Sequence, residues 1–301
     1  MGLAGSKPRN VLSHPPTTGH DKAYALVTGA TSGIGRSLAV ESCRRGLNVI
    51  VHGRDPVRLD ALIKDLREQY PSRDIRGLVL DAATAFTASG ETGQEAWNAL
   101  FSITDLNLKV LVNNVGIGHN PTKDFITFTE QTPAQITQLI QVNISFMTFL
   151  TYALLPTLQR NATPENPSFI INSGSLAELG LPWVSVYSGT KGYITAFSKA
   201  LDTELKGEGK HVEVISALIG DTDSDGHKVG TSLFTPSSDA MASMILDSAA
   251  GAGPVARVPY WGHLIQLWLC RLQPYRLLQK GMIYNVRGLR EKNGLVAKKQ
   301  A

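Results

Sequence analysis

The stretch Ala23-Tyr24-Ala25-Leu26-Val27-Thr28-Gly29-Ala30-Thr31-Ser32-Gly33-Ile34-Gly35 constrains this chain more than any other. An apolar run of strand length empties directly into closely spaced glycines, and an amphipathic helix with Ile34, Leu38 and Val40 facing inward follows to about Gly46. A second apolar run, Asn48-Val49-Ile50-Val51-His52, completes a strand–loop–helix–strand unit. A strand–helix–strand unit is the building block of parallel sheets, which carry helices on both faces. The expected fold is therefore α/β, a doubly wound parallel sheet, with a lead-in over residues 1–22, one domain over 23–257 and a helical extension over 258–301.

Glycine lets a backbone turn tightly and approach a pyrophosphate, while the first amides of the following helix meet its negative charge. Gly29, Thr31, Ser32, Gly33, Ile34 and Gly35 are thus expected to line a dinucleotide. The end of the second strand chooses between the two forms of that cofactor. A carboxylate there would hold the adenosine ribose hydroxyls, but the chain offers Gly53 and Arg54, and a forked guanidinium suits a 2′-phosphate. NADP(H) is expected over NAD(H), against the plainer reading of Arg54 as a solvated loop residue. Asp81, at the end of the strand from Ile75 to Leu80, either takes the adenine amino group or caps a helix. In Asn113-Asn114-Val115-Gly116, after the strand Lys109 to Val112, carboxamides can pin loop backbone and lie along the cofactor, with Asn113 and Gly116 as the contacts.

Further along, Asp55 and Pro56 open a helix with Leu59, Leu62, Ile63 and Leu66 on one side. Thr132-Pro133 opens a long helix that Pro156 should end, with Asn143 in its middle. Asparagine is a poor helix former, so Asn143 requires a tertiary hydrogen bond or a site. The strand from Ser168 to Asn172 delivers Ser173-Gly174-Ser175 to its C-terminal end, where ligands bind in such sheets. Tyr187 and Lys191 then lie four apart on one face of a helix to Gly207. A free phenol has a pKa of about 10, and a fixed cation beside it favours its use as a proton donor or acceptor near neutrality. Ile117, Phe125, Phe128, Leu181, Trp183, Val184, Leu233 and Phe234 are candidate pocket walls, mostly apolar, and suit a lipophilic small-molecule substrate. No metal is needed.

Two cysteines in 301 residues, Cys43 and Cys270, argue against a disulfide framework and for a reducing compartment or simple burial, and the Asn143 and Asn161 sequons are expected to be unused. No run of eighteen apolar residues occurs, and the expected location is cytoplasmic, or peripheral to an intracellular membrane. Residues 1–22, with three prolines and no apolar periodicity, read as a mobile lead-in that also fits a short N-myristoylation pattern at Met1–Ser6. From Arg271 onward the charge is +7, leaving −3 for the first 270 residues, and without a nucleic-acid motif this basic tail does not imply nucleic acid. Trp261, Leu264, Ile265, Trp268, Leu269 and Leu272 form one helical stripe before Pro274. Packing on the chain's own core or on a subunit of a homo-oligomer is the leading expectation for it, and contact with an anionic membrane is the alternative.

Taken together, the glycine loop, Asn113-Asn114-Val115-Gly116 and Tyr187-Ser188-Gly189-Thr190-Lys191, in this order over roughly Ala23 to Leu233, resemble the short-chain dehydrogenase/reductase family. In layout the chain is similar to the branch of 17β-hydroxysteroid dehydrogenases and very-long-chain 3-oxoacyl-CoA reductases. The resemblance implies a Rossmann fold, ketone reduction or alcohol oxidation with Tyr187 as general acid or base, Lys191 on the nicotinamide ribose, and Asn143 holding a relay water. It implies a serine thirteen residues before the tyrosine, where this chain has Gly174; Ser175 is the expected substitute and Ser173 the alternative. The family's Pro-Gly after the last strand is here Ile219-Gly220, so a more mobile lid is expected, with Thr222 or Ser224 toward the carboxamide. A catalytically silent nucleotide-binding protein is the rival expectation.

Overall fold

The computed structural model describes residues 12, 23–86, 91–118 and 125–292, with the side chains of 91–93 and 292 outside that description. The myristoylation pattern, residues 119–124 and the chain after 292 lie outside it, as does the lead-in apart from Leu12. Leu12 is buried in the core and its carbonyl accepts from Arg45.

Strands β1 (Tyr24–Val27), β2 (Asn48–Gly53), β3 (Ile75–Val79), β4 (Leu108–Asn113), β5 (Ser168–Ser175), β6 (Val212–Ile219) and β7 (Ala256–Arg257) pair in parallel in the order β3-β2-β1-β4-β5-β6-β7. Every residue of β1, β2 and β4 is buried, as strands covered on both faces require. Helices α1 (Gly33–Arg44), α2 (Pro56–Gln69) and α7 (Ser238–Ala250) pack with the side chains of one face of the sheet. On the other face lie α3 (Glu91–Phe101), α5 (Phe146–Asn161) and α6 (Ser185–Gly207), while α4 (Pro133–Ile140) leads into α5. Chain direction across the sheet reverses between β1 and β4, which opens a crevice at their carboxyl ends, the ligand position of such folds. The chain closes with α8 (Trp261–Leu272) and α9 (Tyr275–Lys292).

Pro156 does not end its helix, which runs on to Asn161. Proline cannot bond the carbonyl of Tyr152, but Pro156 and Tyr152 both face solvent, where water can take that carbonyl. The run Pro133–Asn161 is 29 residues long and apolar enough to cross a membrane by length and composition. Here it is a core element, with Leu150, Leu154 and Leu158 fully buried against the sheet.

The C-terminal stripe is the larger correction. Trp261, Leu264, Ile265, Trp268, Leu269 and Leu272 are between 41 and 61% exposed, so they do not pack on the chain's own core. A narrower stripe, Tyr260, His263 and Leu267 at i, i+3 and i+7, is the face that packs. Exposure rules out the chain's own core as the cover of the wider stripe and leaves a subunit or a membrane as its partner.

Candidate active site

The glycine loop is held from three sides. Gly29 and Gly33 have φ of 64° and 53°, a left-handed region that glycine enters without strain. Thr28 Oγ1 accepts from the Asn114 and Val115 amides, and Asn114 Nδ2 donates to Thr28 O, which joins the end of β1 to the end of β4. Ser32 precedes α1 with no side-chain cap, so the first amides of that helix remain available to an anion.

His52 supplies the third hold, and sequence reasoning missed it. Its Nδ1 accepts from Gly29 N at 3.2 Å while Nε2 donates to Leu80 O at 3.1 Å. Both contacts demand the neutral imidazole, because a proton on Nδ1 would face the Gly29 N–H. Burial pushes its pKa down from 6.5 to about 4, against the opposing pull of Leu80 O and Asp81. Since the folded value is depressed, this stabilisation is whole above pH 6.5 and is lost as pH falls from 6.5 toward about 4. Between pH 7 and pH 4.5 the unfolding free energy from urea titrations is expected to fall further for wild type than for His52→Asn, by up to about 3 kcal/mol.

At the end of β2, Arg54 is exposed and forms no ion pair or hydrogen bond among the described residues. Gly53 fits closely there, since a Cβ would lie 2.7 Å from Thr31 Cγ2. A second cation, Arg58, donates to Thr31 O at 3.3 Å from the first turn of α2, where Asp55 caps as expected. Asp81 Oδ1 accepts from Ala83 N and closes a turn over 82–86, where the sequence suggested a helix cap.

Asn113 requires correction. Its carboxamide turns away from the crevice into a buried ladder, donating to Thr151 Oγ1 and Asn172 Oδ1, because alternation along β4 points it toward α5. Asn114 occupies the crevice instead, between Thr28 and the Ser173 hydroxyl.

Asn143 lies in a π-turn, Gln141–Ser145, between α4 and α5, the kind of helix defect that recurs at functional sites. Its Oδ1 accepts from Ile117 N, and Nδ2 donates to Ile117 O and Thr190 Oγ1. The tertiary bonds that a mid-helix asparagine requires are therefore present, and they fix the backbone after Gly116 against α6. With both amide hydrogens engaged, a relay water at Asn143 is left to its main chain or its second Oδ1 lone pair.

Lys191 is buried and donates to Ser173 O at 2.8 Å, with Nζ 5.5 Å from the centroid of the Tyr187 ring. A Cβ on Gly116 would lie 3.8 Å from the same Nζ. The ammonium thus sits where β4, β5 and α6 converge, and α6 brings Tyr187, half-buried, to the mouth of the crevice.

Gly174 points into the fold, where a Cβ would meet Ser216 Oγ at 2.8 Å and Leu218 Cδ2 at 3.0 Å. A serine there would not reach the crevice. Ser173 and Ser175 face the other way, and Ser173 gives its hydroxyl to Asn114. Ser175 Oγ accepts from Ala177 N, which leaves its own hydrogen for a ligand.

After β6 the chain is pinned, contrary to the expectation of a looser lid. Gly220 N donates to His263 Nδ1 of α8, His263 Nε2 meets Asp221 O, and Thr222 is buried with Oγ1 on Gly220 O. The Ile219 side chain belongs to the core. Ser224 approaches the glycine loop, within 3.5 Å of where a Gly33 Cβ would be. Of the wall candidates, Phe125 and Trp183 are the only described non-glycine residues with positive φ, at 59° and 62°. Arg290 of α9 stacks over the Trp183 ring at 4.9 Å. Val184 is buried, whereas Phe128, Leu233 and Phe234 are exposed.

This arrangement is that of a nicotinamide-dependent oxidoreductase, and residues 23–231 match the short chain dehydrogenase family profile: the chain belongs to that family. It is 31% identical over 257 residues to a very-long-chain 3-oxoacyl-CoA reductase of Coprinopsis cinerea, spanning 81% of this chain and 70% of the relative. It is also 31% identical over 251 residues to a steroid dehydrogenase-like protein of Caenorhabditis elegans, covering 83% and 90%. Among solved structures, a Sphingobium yanoikuyae short-chain dehydrogenase in complex with NADPH shares the fold at TM-score 0.65 and 24% identity, over 93% of this chain and 98% of that one. A 7beta-hydroxysteroid dehydrogenase superposes at TM-score 0.72 with 16% identity, over 87% and 98%.

Proposed function

We propose that this chain is an NADP(H)-dependent oxidoreductase acting on a lipophilic ketone or secondary alcohol, with Tyr187 as proton donor or acceptor. The observation that carries the reading is the buried Lys191, bonded to Ser173 O and 5.5 Å from the Tyr187 ring centroid, together with a glycine loop whose helix amides are unclaimed. The loop fits a dinucleotide: its pyrophosphate would lie on residues 31–35, with Arg54 and Arg58 beside the adenosine ribose and Lys191 on the nicotinamide ribose. When bound, the nicotinamide supplies or accepts the hydride. The Ser175 hydroxyl donates to the carbonyl oxygen, and Tyr187 delivers the proton as alkoxide character develops. Lys191 keeps a positive charge beside the phenol, while Asn143 keeps Ile117 in register with α6.

The strained backbone at Phe125 and Trp183 favours these two residues as substrate walls, since such strain persists where the surroundings enforce it. The names of the relatives make 3-oxoacyl thioesters and steroid ketones the substrates to try first. NADPH and NADH oxidation against such a panel tests the reading. NADPH should be preferred at least tenfold, and Arg54→Asp should reverse the preference by about 100-fold, or about 2.7 kcal/mol. Inertness of wild type with every ketone and both cofactors would instead favour a silent nucleotide-binding protein.

The outward stripe of α8, followed by the basic α9, is proposed to rest on an anionic lipid surface. In sedimentation with vesicles containing phosphatidylserine, wild type should pellet and Trp261→Glu/Trp268→Glu should remain in the supernatant. A wild-type dimer that dissociates in that variant, with no pelleting, would assign the stripe to a second subunit.

A further inference from the structure

We propose that His263 is a positioning residue for this reaction, an imidazole that the C-terminal extension inserts to clamp the Gly220–Thr222 turn against the cofactor crevice; the inference rests on the oxidoreductase reading. The residue lies outside the family-matched segment, and the side chain is completely buried. Nδ1 accepts from Gly220 N at 3.1 Å, so Nε2 carries the hydrogen that Asp221 O accepts at 3.0 Å. The seat is tight, because a Cβ on Gly220 would lie 2.7 Å from the ring.

The neighbours of His263 grip the far end of the same loop. Tyr260, edge-on to the imidazole at 5.0 Å, donates its hydroxyl to Leu233 O at 2.7 Å. A Cβ on Gly262 would stand 2.9 Å from that carbonyl. Between these anchors, Ser224 reaches the glycine loop at Gly33. The first turn of α8 therefore sets the position of a loop that borders the crevice from the nicotinamide side to the pyrophosphate side. The family's proline would restrict this turn by fixing one φ angle; His263 restricts it by two hydrogen bonds from outside.

The test compares His263→Ala and His263→Phe with Leu267→Ala, a buried residue one turn further along the same face of α8. NADPH affinity is read by fluorescence titration, amide exchange is read at 220–222, and thermal midpoints are measured in parallel. Both His263 variants are expected to raise the NADPH Kd at least tenfold and to speed exchange at Gly220. Leu267→Ala should lower the midpoint as much while leaving Kd within twofold. Should alanine fail to give folded protein, the phenylalanine variant, which fills the space without the hydrogen bonds, carries the comparison. Equal Kd changes in the His263 and Leu267 variants, unchanged Kd in the His263 variants, or no NADPH binding by wild type would overturn the proposal. Weakened binding in the His263 variants together with inertness toward every ketone would leave the clamp standing and remove the oxidoreductase reading.

Discussion

Replacing Tyr187 by phenylalanine is expected to lower kcat by about 10²–10⁴-fold, the range that a positioned general acid supplies, with NADPH affinity within about threefold of wild type. The change removes one oxygen and leaves the ring, the helix and the Lys191 to Ser173 bond in place. Because Lys191 has its own anchor on β5, the variant should retain its fold and its cofactor site. Stopped-flow measurement of NADPH oxidation separates the two quantities. Retention of more than about a tenth of wild-type kcat would remove Tyr187 from the chemistry and move attention to Ser175.

Gly35→Ala should have the largest effect on cofactor binding. An added Cβ would lie 2.1 Å from Gly29 O, 2.8 Å from Gly29 C and 2.6 Å from Asn114 Nδ2. Two of these atoms are backbone of the turn that must approach the pyrophosphate, so the methyl group can be accommodated only by displacing the loop. We expect a loss of stability at the upper end of the roughly 1–3 kcal/mol typical of overpacking, and NADPH affinity at least about 100-fold weaker. Gly281→Ala on α9, where a Cβ meets nothing within 4 Å, is the control, and should be neutral or stabilising by up to about 1 kcal/mol. Near-normal NADPH titration of Gly35→Ala would show that the loop has slack the close contacts exclude.

The elements that were legible in the sequence are those whose reasons are local. Strand β1, the glycine turn and α1 follow from residues adjacent in the chain, and Asp55 caps α2 from the position where any helix takes a cap. Asn143 was legible as an anomaly, because its low helix propensity demanded a partner; the partner, Ile117, is 26 residues away and could not be named. Asn113 and Asn114 show the opposite limit. Adjacent residues of one type on a strand end face opposite ways, and only the register with β5 decides which one enters the crevice. Gly174 read as a missing serine, yet the strand turns that position inward, so the departure is one of phase along β5. His52 and His263 gave no signal beyond burial, since an imidazole that accepts from a glycine amide is recognisable only once loops from 23 and 43 residues away are folded onto it.

The link between Gly220 and His263 also bears on the order in which this protein is made. His263 is 43 residues downstream of the turn it holds, a delay of about 2–9 s at ordinary rates of synthesis. During that interval β1 to β6 already exist as polypeptide while the turn lacks the imidazole that holds it. A message truncated just before α8 would therefore encode every strand of the sheet but no residue to hold the turn after β6.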